Sequence, residues 1–356
     1  MACFHPMVLI NTSKMTDPEQ RKIVARLKLI HKKDEKNRSV NTLIIPRELA
    51  LQEGLHLEEL DAVPVPCGRC IGCRLDYSRV WAERCVHEAS QYENNWFLTL
   101  TYDDDHLPIG KKGIPTLIKD EVSSFMKRLR TKMKREYGVD GIRFFACGEY
   151  GTNGERVLHP HYHIILFNCP LQDLSDRHPI KVDGQIKMIH QYDNEGNMLM
   201  FSKLVHDAWL NRGTAQLGQV TFESCAYVAR YIVKKSYGQE AKRYLDLGVI
   251  PEFVRMSRDP GIGHAWFMEN MDRIYEFDNY NFKRGDKIIN VKPGKYCDKL
   301  LKEVDEARYY DLKAKRRNDY YDAVDCKTFE GVDLVHNNFH AEAEKQRSVK
   351  LLKRSL

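Results

Sequence analysis

The hydrophobic pattern of the chain changes near residue 94. There "NWFLTLTY" alternates apolar and polar positions among β-rich residues and predicts a strand. Val122, Phe125, Met126, Leu129 and Met133 then recur at helical spacing, with Gly138 as the C-terminal stop. "IRFFACGEY" and "HYHIILF" predict two further strands. "SKLVHDAWLNRG" predicts a helix ending at Gly213, and "GQVTFE" a short strand. After these, "SCAYVARYIVKKSYG" predicts a helix capped by Ser224 and stopped by Gly238. Alternating strands and helices over roughly 94–240 predict a layered α+β or α/β domain rather than an all-helical or all-β one.

The flanks read differently. Residues 1 to about 90 look irregular, with "HKKDEKNRSVN" polar and "PVPCGRCIGC" rich in turn formers, so an arm with a small cysteine-rich module is expected. From about 285 the chain is highly charged, with "YY" pairs at 309 and 320, and predicts a helical extension. The expected organisation is an N-terminal module over 1–93, a core over 94–270 and a charged helical C-terminal extension over 271–356. No internal repeat stands out.

Composition narrows the classes. The chain has 356 residues, enough for one large domain or two ordinary ones. The net charge of +6 is too modest to argue for nucleic acid by itself, but "KRLRTKMKR", "KSYGQEAKR", "KAKRR" and "KLLKR" concentrate basic charge locally. No apolar run approaches the roughly 20 residues that span a bilayer, and "MACFHPMVLI" lacks a basic start followed by an apolar core. An intracellular protein with no membrane partner is expected. Its ten cysteines are then expected as thiols or metal ligands rather than disulfides.

Three groups of residues carry candidate chemistry. In "HPHYHIILF", alternation sends His159, His161 and His163 to one strand face and Pro160 and Tyr162 to the other. Imidazoles at i and i+2 can bind one divalent cation, with a carboxylate from a neighbouring strand; Glu149 is the nearest candidate. The bland alternative is a polar row on a wet sheet face. The string also matches the histidine-triad nucleotide hydrolases, in which the middle histidine attacks a phosphate. Tyr227 and Tyr231 lie four apart on a predicted helix and share a face, with Lys234 and Lys235 one turn further on. A phenol is a poor nucleophile near neutral pH unless helped, and a phosphodiester polarised by a divalent metal is an electrophile it can attack. The lysines would stabilise a phenolate or the pentavalent oxygens. A tyrosine stripe packed on a sheet is the competing account. In "CGRCIGC", Cys67, Cys70 and Cys73 offer three corners of a tetrahedral zinc site, with Cys3 as the preferred fourth ligand and Cys85, His5 or His87 as alternatives. Free thiols and an iron–sulfur cluster are the other readings of these cysteines.

"FLTLTYDD", "GEYG" followed by "HPHYHIILF", and "YVARYIVKK" occur in the order seen in HUH endonucleases of the rolling-circle replication class. With "VPCGRCIGCR", "WAERCVHEA" and "DPGIG", the chain resembles the replication initiators of microviruses, single-stranded DNA phages, most nearly those of the gokushovirus group. The resemblance spans roughly residues 64–265, with a weaker echo at "MACFHP". It implies an HUH-type α+β fold, an antiparallel sheet with flanking helices. It also implies a site-specific endonuclease and ligase that starts and ends rolling-circle replication through a 5′-phosphotyrosine. His161 and His163 would be metal ligands with Glu149 as acidic partner, and Mg²⁺ or Mn²⁺ the catalytic ion. Tyr227 and Tyr231 would be paired nucleophiles, and Thr99, Thr101 and Tyr102 would scaffold the site. His159 departs from the family's pattern, in which a basic residue more often precedes "PHYH". The implied partners are single-stranded DNA at a replication origin and, because no G-x-x-x-x-G-K-[ST] motif is present, the helicase and polymerase of a bacterial host, in its cytoplasm. DNA binding through phosphates should weaken with salt by a log–log slope of about −0.7 per phosphate contacted on a single strand. The rival readings are a histidine-triad nucleotide hydrolase and a non-enzymatic zinc-dependent DNA-binding protein.

Overall fold

A computed structural model describes residues 3–30, 41–57, 59–60, 62–151, 158–182, 185–193, 195–233, 242, 244, 246–284, 287–328 and 341–348. Packing divides the chain into two compact units, one of residues 1–76 with 304–353, the other of 77–303 with 354–356. These divisions fall at 76/77 and 303/304 rather than at the composition changes near 93 and 270.

The first unit is ordered where the sequence reads as irregular. Strands β1 (Met7–Asn11), β2 (Thr42–Pro46) and β3 (Val63–Val65) form an antiparallel sheet in the order β2-β1-β3. Helices α1 (Pro18–Ile30) and α2 (Arg47–Gln52) join them. Val8, Ile10, Val24, Leu27, Leu43 and Ile45 share a buried core. Each strand is short, and its alternation is hidden by the flanking charged runs, which is why period-two counting misses it. Helix α3 (Ile71–Ala89) begins in this unit and continues into the second.

The second unit is built on five antiparallel strands. They are β4 (Trp96–Tyr102), β5 (Arg143–Tyr150), β6 (Pro160–Phe167), β13 (Gly213–Gly218) and β14 (Phe253–Met256), in the order β13-β4-β6-β5-β14. Between β6 and β13 lie short strands β7 (Leu174–Ser175), β8 (His178–Val182), β9 (Gln185–Ile189), β10 (Gln191–Tyr192), β11 (Met198–Leu199) and β12 (Phe201–Ser202), paired as small ribbons. The unit is therefore mixed α+β with an antiparallel central sheet.

Strand alternation gives that sheet two different faces. Leu98, Leu100, Phe144, Ala146, Tyr162, Ile164 and Leu166 point into one core with helices α4 (Glu121–Tyr137) and α5 (Lys203–Ala208). Val122, Phe125, Met126, Leu129 and Met133 of α4 are all buried there, each contributing about 1.5–3 kcal/mol relative to exposure. Gly138 closes α4 in the left-handed conformation, as its position predicts. Phe97, Phe145, Cys147, Ile165 and Phe167 point to the opposite face, covered by α3 and by α6 (Phe222–Val233). The histidines lie on this second face.

Helix α3 carries buried polar side chains that the fold pairs. Arg84 lies between the rings of Trp81 and Tyr296, at 3.9 and 3.8 Å, and its Nε donates to the Ile262 carbonyl at 2.9 Å. Glu88 accepts from the Gly263 N–H at 2.7 Å and pairs with Arg143. The "WAERCVHEA" and "DPGIG" segments thus meet as a scaffold. Helix α7 (His264–Phe277), strands β15 (Tyr280–Arg284) and β16 (Lys287–Val291) and helix α8 (Lys295–Val304) follow. Residues 271–303 therefore belong to the packed second unit, and of the charged extension α9 (Glu306–Thr328) is helical.

Two local expectations are corrected. Gly213 does not end a helix: α5 stops at Ala208, and Gly213 opens β13 opposite Tyr102, so the strand precedes "GQVTFE" instead of occupying it. Tertiary pairing with β4 overrides the local pattern. The cap of α6 is Thr221 rather than Ser224: the Ser224 N–H donates to Thr221 Oγ1 at 3.1 Å and the Thr221 N–H to Ser224 Oγ at 2.9 Å. This reciprocal pair is a capping box one turn earlier than the sequence suggests. The expected stop at Gly238 lies outside the described residues. Among the described residues no helix is long and apolar enough to cross a membrane.

Candidate functional site

Strand register assembles the centre of the second face. His161 of β6 sits opposite Thr101 of β4 on one side and Glu149 of β5 on the other; His163 sits opposite Thr99 and Cys147. Directly opposed residues of antiparallel strands point to the same face, so two threonines, two histidines and one carboxylate share a patch.

The side chains are linked there. Glu149 Oε1 lies 2.7 Å from His163 Nε2 and accepts a hydrogen bond from the Tyr227 hydroxyl at 2.7 Å. Thr99 Oγ1 lies 3.1 Å from His163 Nδ1, and Thr101 Oγ1 lies 3.1 Å from His161 Nδ1. In neutral His163, Nε2–H donates to the carboxylate and Nδ1 accepts from Thr99. When Nε2 serves instead as a metal ligand the proton moves to Nδ1 and donates to the same hydroxyl. A threonine hydroxyl both donates and accepts, so it holds the ring in either tautomer. Two imidazoles steered in this way beside a carboxylate fit a divalent cation as a donor set.

Tyr227 comes from α6. Its ring stands at 84° to His163 with centroids 5.0 Å apart, and Phe97 stacks on the other side of His163 at 5.6 Å and 12°. His163 is thereby wedged in place. Burial first, and the Glu149 carboxylate second, push the Tyr227 phenol above its ordinary value. The phenol is therefore fully protonated at neutral pH and rests on Glu149. The Arg230 guanidinium lies 5.3 Å from the ring centroid of Tyr227. His159 is buried immediately before β6, its ring centroid 5.2 Å from that of His161.

The fold thus joins Glu149, His163 and Tyr227 directly and puts His161 in register with Glu149. Tyr231 lies on α6, but its side chain, and all of Lys234 and Lys235, are outside the described residues. The orienting roles of Thr99 and Thr101 and the wedge of Phe97 were missed as such. Their signal is the T-x-T of β4, which an antiparallel partner carrying H-x-H must face.

A family model described as replication-associated protein ORF2 matches residues 95–236, the stretch from β4 through α6 that holds this centre. The replication-associated protein ORF2 of Spiroplasma virus 4 is 38% identical over 255 residues, covering 71% of this chain and 72% of the relative. The chain belongs to this replication-associated protein family. Replication-associated protein VP4 of Bdellovibrio phage phiMH2K is 34% identical over 181 residues, half of each chain. Replication-associated protein ORF4 of Chlamydia phage 1 is 31% identical over 183 residues, 51% of this chain and 41% of the relative. No solved structure matches.

A second group lies in the first unit, outside the segment the family model matches. Cys3, Cys67, Cys70 and Cys73 place their sulfurs within 4.8 Å of one another and could hold a metal ion. Burial pushes the Cys3 and Cys73 thiols up; for Cys67 burial acts in the same direction but is outweighed by N–H donors from Arg69 and Cys70, which hold it low. Cys3 is the fourth member expected from the sequence. Cys85 and His87 are instead buried in the second unit.

Proposed function

We propose that this family member is an HUH-type DNA nickase and joinase that opens and recloses a single-stranded phage replication origin. The observation that carries the reading is the shared Glu149 oxygen. One carboxylate accepts from the phenol of Tyr227 and contacts the imidazole of His163, each at 2.7 Å. Nucleophile and candidate metal ligands therefore occupy one site.

Glu149, His161 and His163 would hold a Mg²⁺ or Mn²⁺ ion, whose chemistry is Lewis-acid polarisation of a phosphodiester oxygen. The chain's own groups supply the rest. Tyr227 is held with its hydroxyl at the carboxylate, and the wedge of Phe97 and Tyr227 fixes His163. As Tyr227 Oη bonds to phosphorus, the bond to the 3′ oxygen breaks. The 5′ phosphate stays on tyrosine, and the leaving 3′ oxygen takes up a proton to balance the one the phenol loses. The free 3′ hydroxyl primes synthesis by a host polymerase, with a host helicase opening the duplex. After one genome length Tyr231 cleaves the regenerated origin in the same way, and the 3′ hydroxyl so released attacks the first phosphotyrosine to close a circle. Lys234 and Lys235 would stabilise charge on the phosphate. The basic clusters would hold DNA through its phosphates.

The test incubates the protein with Mn²⁺ and single-stranded DNA tiling the candidate origin, then seeks protein attached to a DNA 5′ end on a denaturing gel. An adduct that survives Tyr227→Phe or Tyr231→Phe singly, disappears in the double variant and requires His161 and His163 supports the mechanism. Turnover of small adenylates that tolerates loss of both tyrosines would favour a histidine-triad hydrolase. DNA binding without any adduct, dependent on the cysteines alone, would favour a non-enzymatic binding protein.

A further inference from the structure

The four-cysteine group has no part in the chemistry above, and its geometry is specific. We propose that Cys3, Cys67, Cys70 and Cys73 form a structural Zn²⁺ site that closes the N-terminal unit by tying residue 3 to the 67–73 turn.

Distance is the first argument. A tetrahedral ion with zinc–sulfur bonds of about 2.3 Å requires sulfurs about 3.8 Å apart. Cys67 Sγ and Cys73 Sγ are 3.9 Å apart, and all four sulfurs lie within 4.8 Å of one another. A disulfide needs about 2.0 Å, and all four are free thiols. Sulfurs so close together surround a single ion, which sets the site apart from a multi-iron cluster.

The backbone supplies the second argument. Sulfurs in the cluster accept from main-chain N–H groups: Cys67 Sγ from Cys70 at 3.3 Å and Arg69 at 3.4 Å, Cys70 Sγ from Cys73 and Phe4 at 3.4 Å each, and Cys3 Sγ from Cys67 at 3.3 Å. Four thiolates around a dication leave a net charge of −2, and donors aimed at the sulfurs spread that charge. Gly68 makes the arrangement possible. Its φ of +75° turns the chain in the left-handed region, so the N–H groups of residues 69 and 70 fold back onto Cys67.

The third argument is energetic. The first unit has a small apolar core, and units of that kind are commonly completed by a metal. The ion would join chain positions more than sixty residues apart, Cys3 and Cys67, which their hydrogen bond already brings together. Soft thiolates suit Zn²⁺ and iron alike, but for divalent ions zinc lies above Fe²⁺ in affinity, which selects zinc here.

The test uses the full chain, purified under reducing conditions without added chelator. Plasma mass spectrometry should find about one zinc per chain, retained after Cys169→Ala and reduced to about a tenth or less in Cys67→Ser/Cys73→Ser. Because the double variant can lose zinc simply by misfolding, the wild-type protein provides a second readout. Exchange of its metal for Co²⁺ should produce the strong charge-transfer and ligand-field absorption of a tetrahedral four-thiolate site. Folded wild-type protein with no bound zinc, iron in zinc's place, or a weak octahedral cobalt spectrum would overturn the proposal. None of these outcomes bears on phosphotyrosine formation, so the two proposals fail separately.

Discussion

Tyr227 donates its hydroxyl hydrogen to Glu149 Oε1 at 2.7 Å, the same oxygen that contacts His163 Nε2. A carboxylate that serves both as acceptor for the nucleophile and as a candidate metal ligand has to act on both at once. Glu149→Gln keeps the size of the side chain but removes its charge. Adduct formation on origin DNA, timed on a denaturing gel, is expected to fall by about 10²–10³. Tyr227→Phe with Tyr231 intact should retain far more activity, because the second phenol can replace the first. A Glu149→Gln protein as fast as wild type would remove the carboxylate from the reaction.

The threonines opposite the histidines should act through the imidazoles alone. Thr99→Val and Thr101→Val remove the 3.1 Å contacts to His163 Nδ1 and His161 Nδ1 while preserving side-chain shape. The Mn²⁺ concentration that gives half-maximal adduct should rise by about 10–100-fold, with the circular dichroism spectrum unchanged. An unaltered Mn²⁺ dependence would mean that the rings are oriented by packing against Phe97 and Tyr227 instead.

Gly213 lies where β13 meets β4, at φ +139°, and a Cβ there would collide with the Thr101 carbonyl oxygen. Gly213→Ala is expected to cost about 3 kcal/mol and lower the melting temperature by about 5 °C or more. The damage should also reach the active site, since Thr101 holds His161.

His87 gives the fold a pH dependence of its own. It is buried against Trp266, with ring centroids 3.5 Å apart, and its Nε2 has no hydrogen-bond partner among the described residues. Burial pushes its pKa down from 6.5 to about 3. Between those values the unfolded chain binds a proton that the folded chain refuses. The contribution is therefore complete above pH 6.5 and lost as pH falls toward 3, by on the order of 4 kcal/mol in all. Denaturant unfolding at pH 7 and pH 4.5 should show the loss, and His87→Phe should reduce it. An equal acid dependence in that variant would place the titration elsewhere.

Much of the site is written in the local pattern. Period-two alternation alone puts His161 and His163 on one face, helical spacing alone buries Val122, Phe125, Met126, Leu129 and Met133 of α4, and C-x-x-C spacing alone groups Cys67, Cys70 and Cys73. These are short-range consequences of backbone geometry, legible wherever neighbours within about one turn or one pleat decide the outcome. What the sequence could not decide is pairing at a distance. That Thr101 and Glu149 flank His161, that Tyr227 of α6 reaches Glu149, and that Cys3 meets residues more than sixty positions away all depend on strand register and chain closure. The same long-range pairing turned Gly213 from a helix stop into the start of a strand, and gave residues 7–65 a sheet and core of their own, because burial against a distant partner outweighs local propensity.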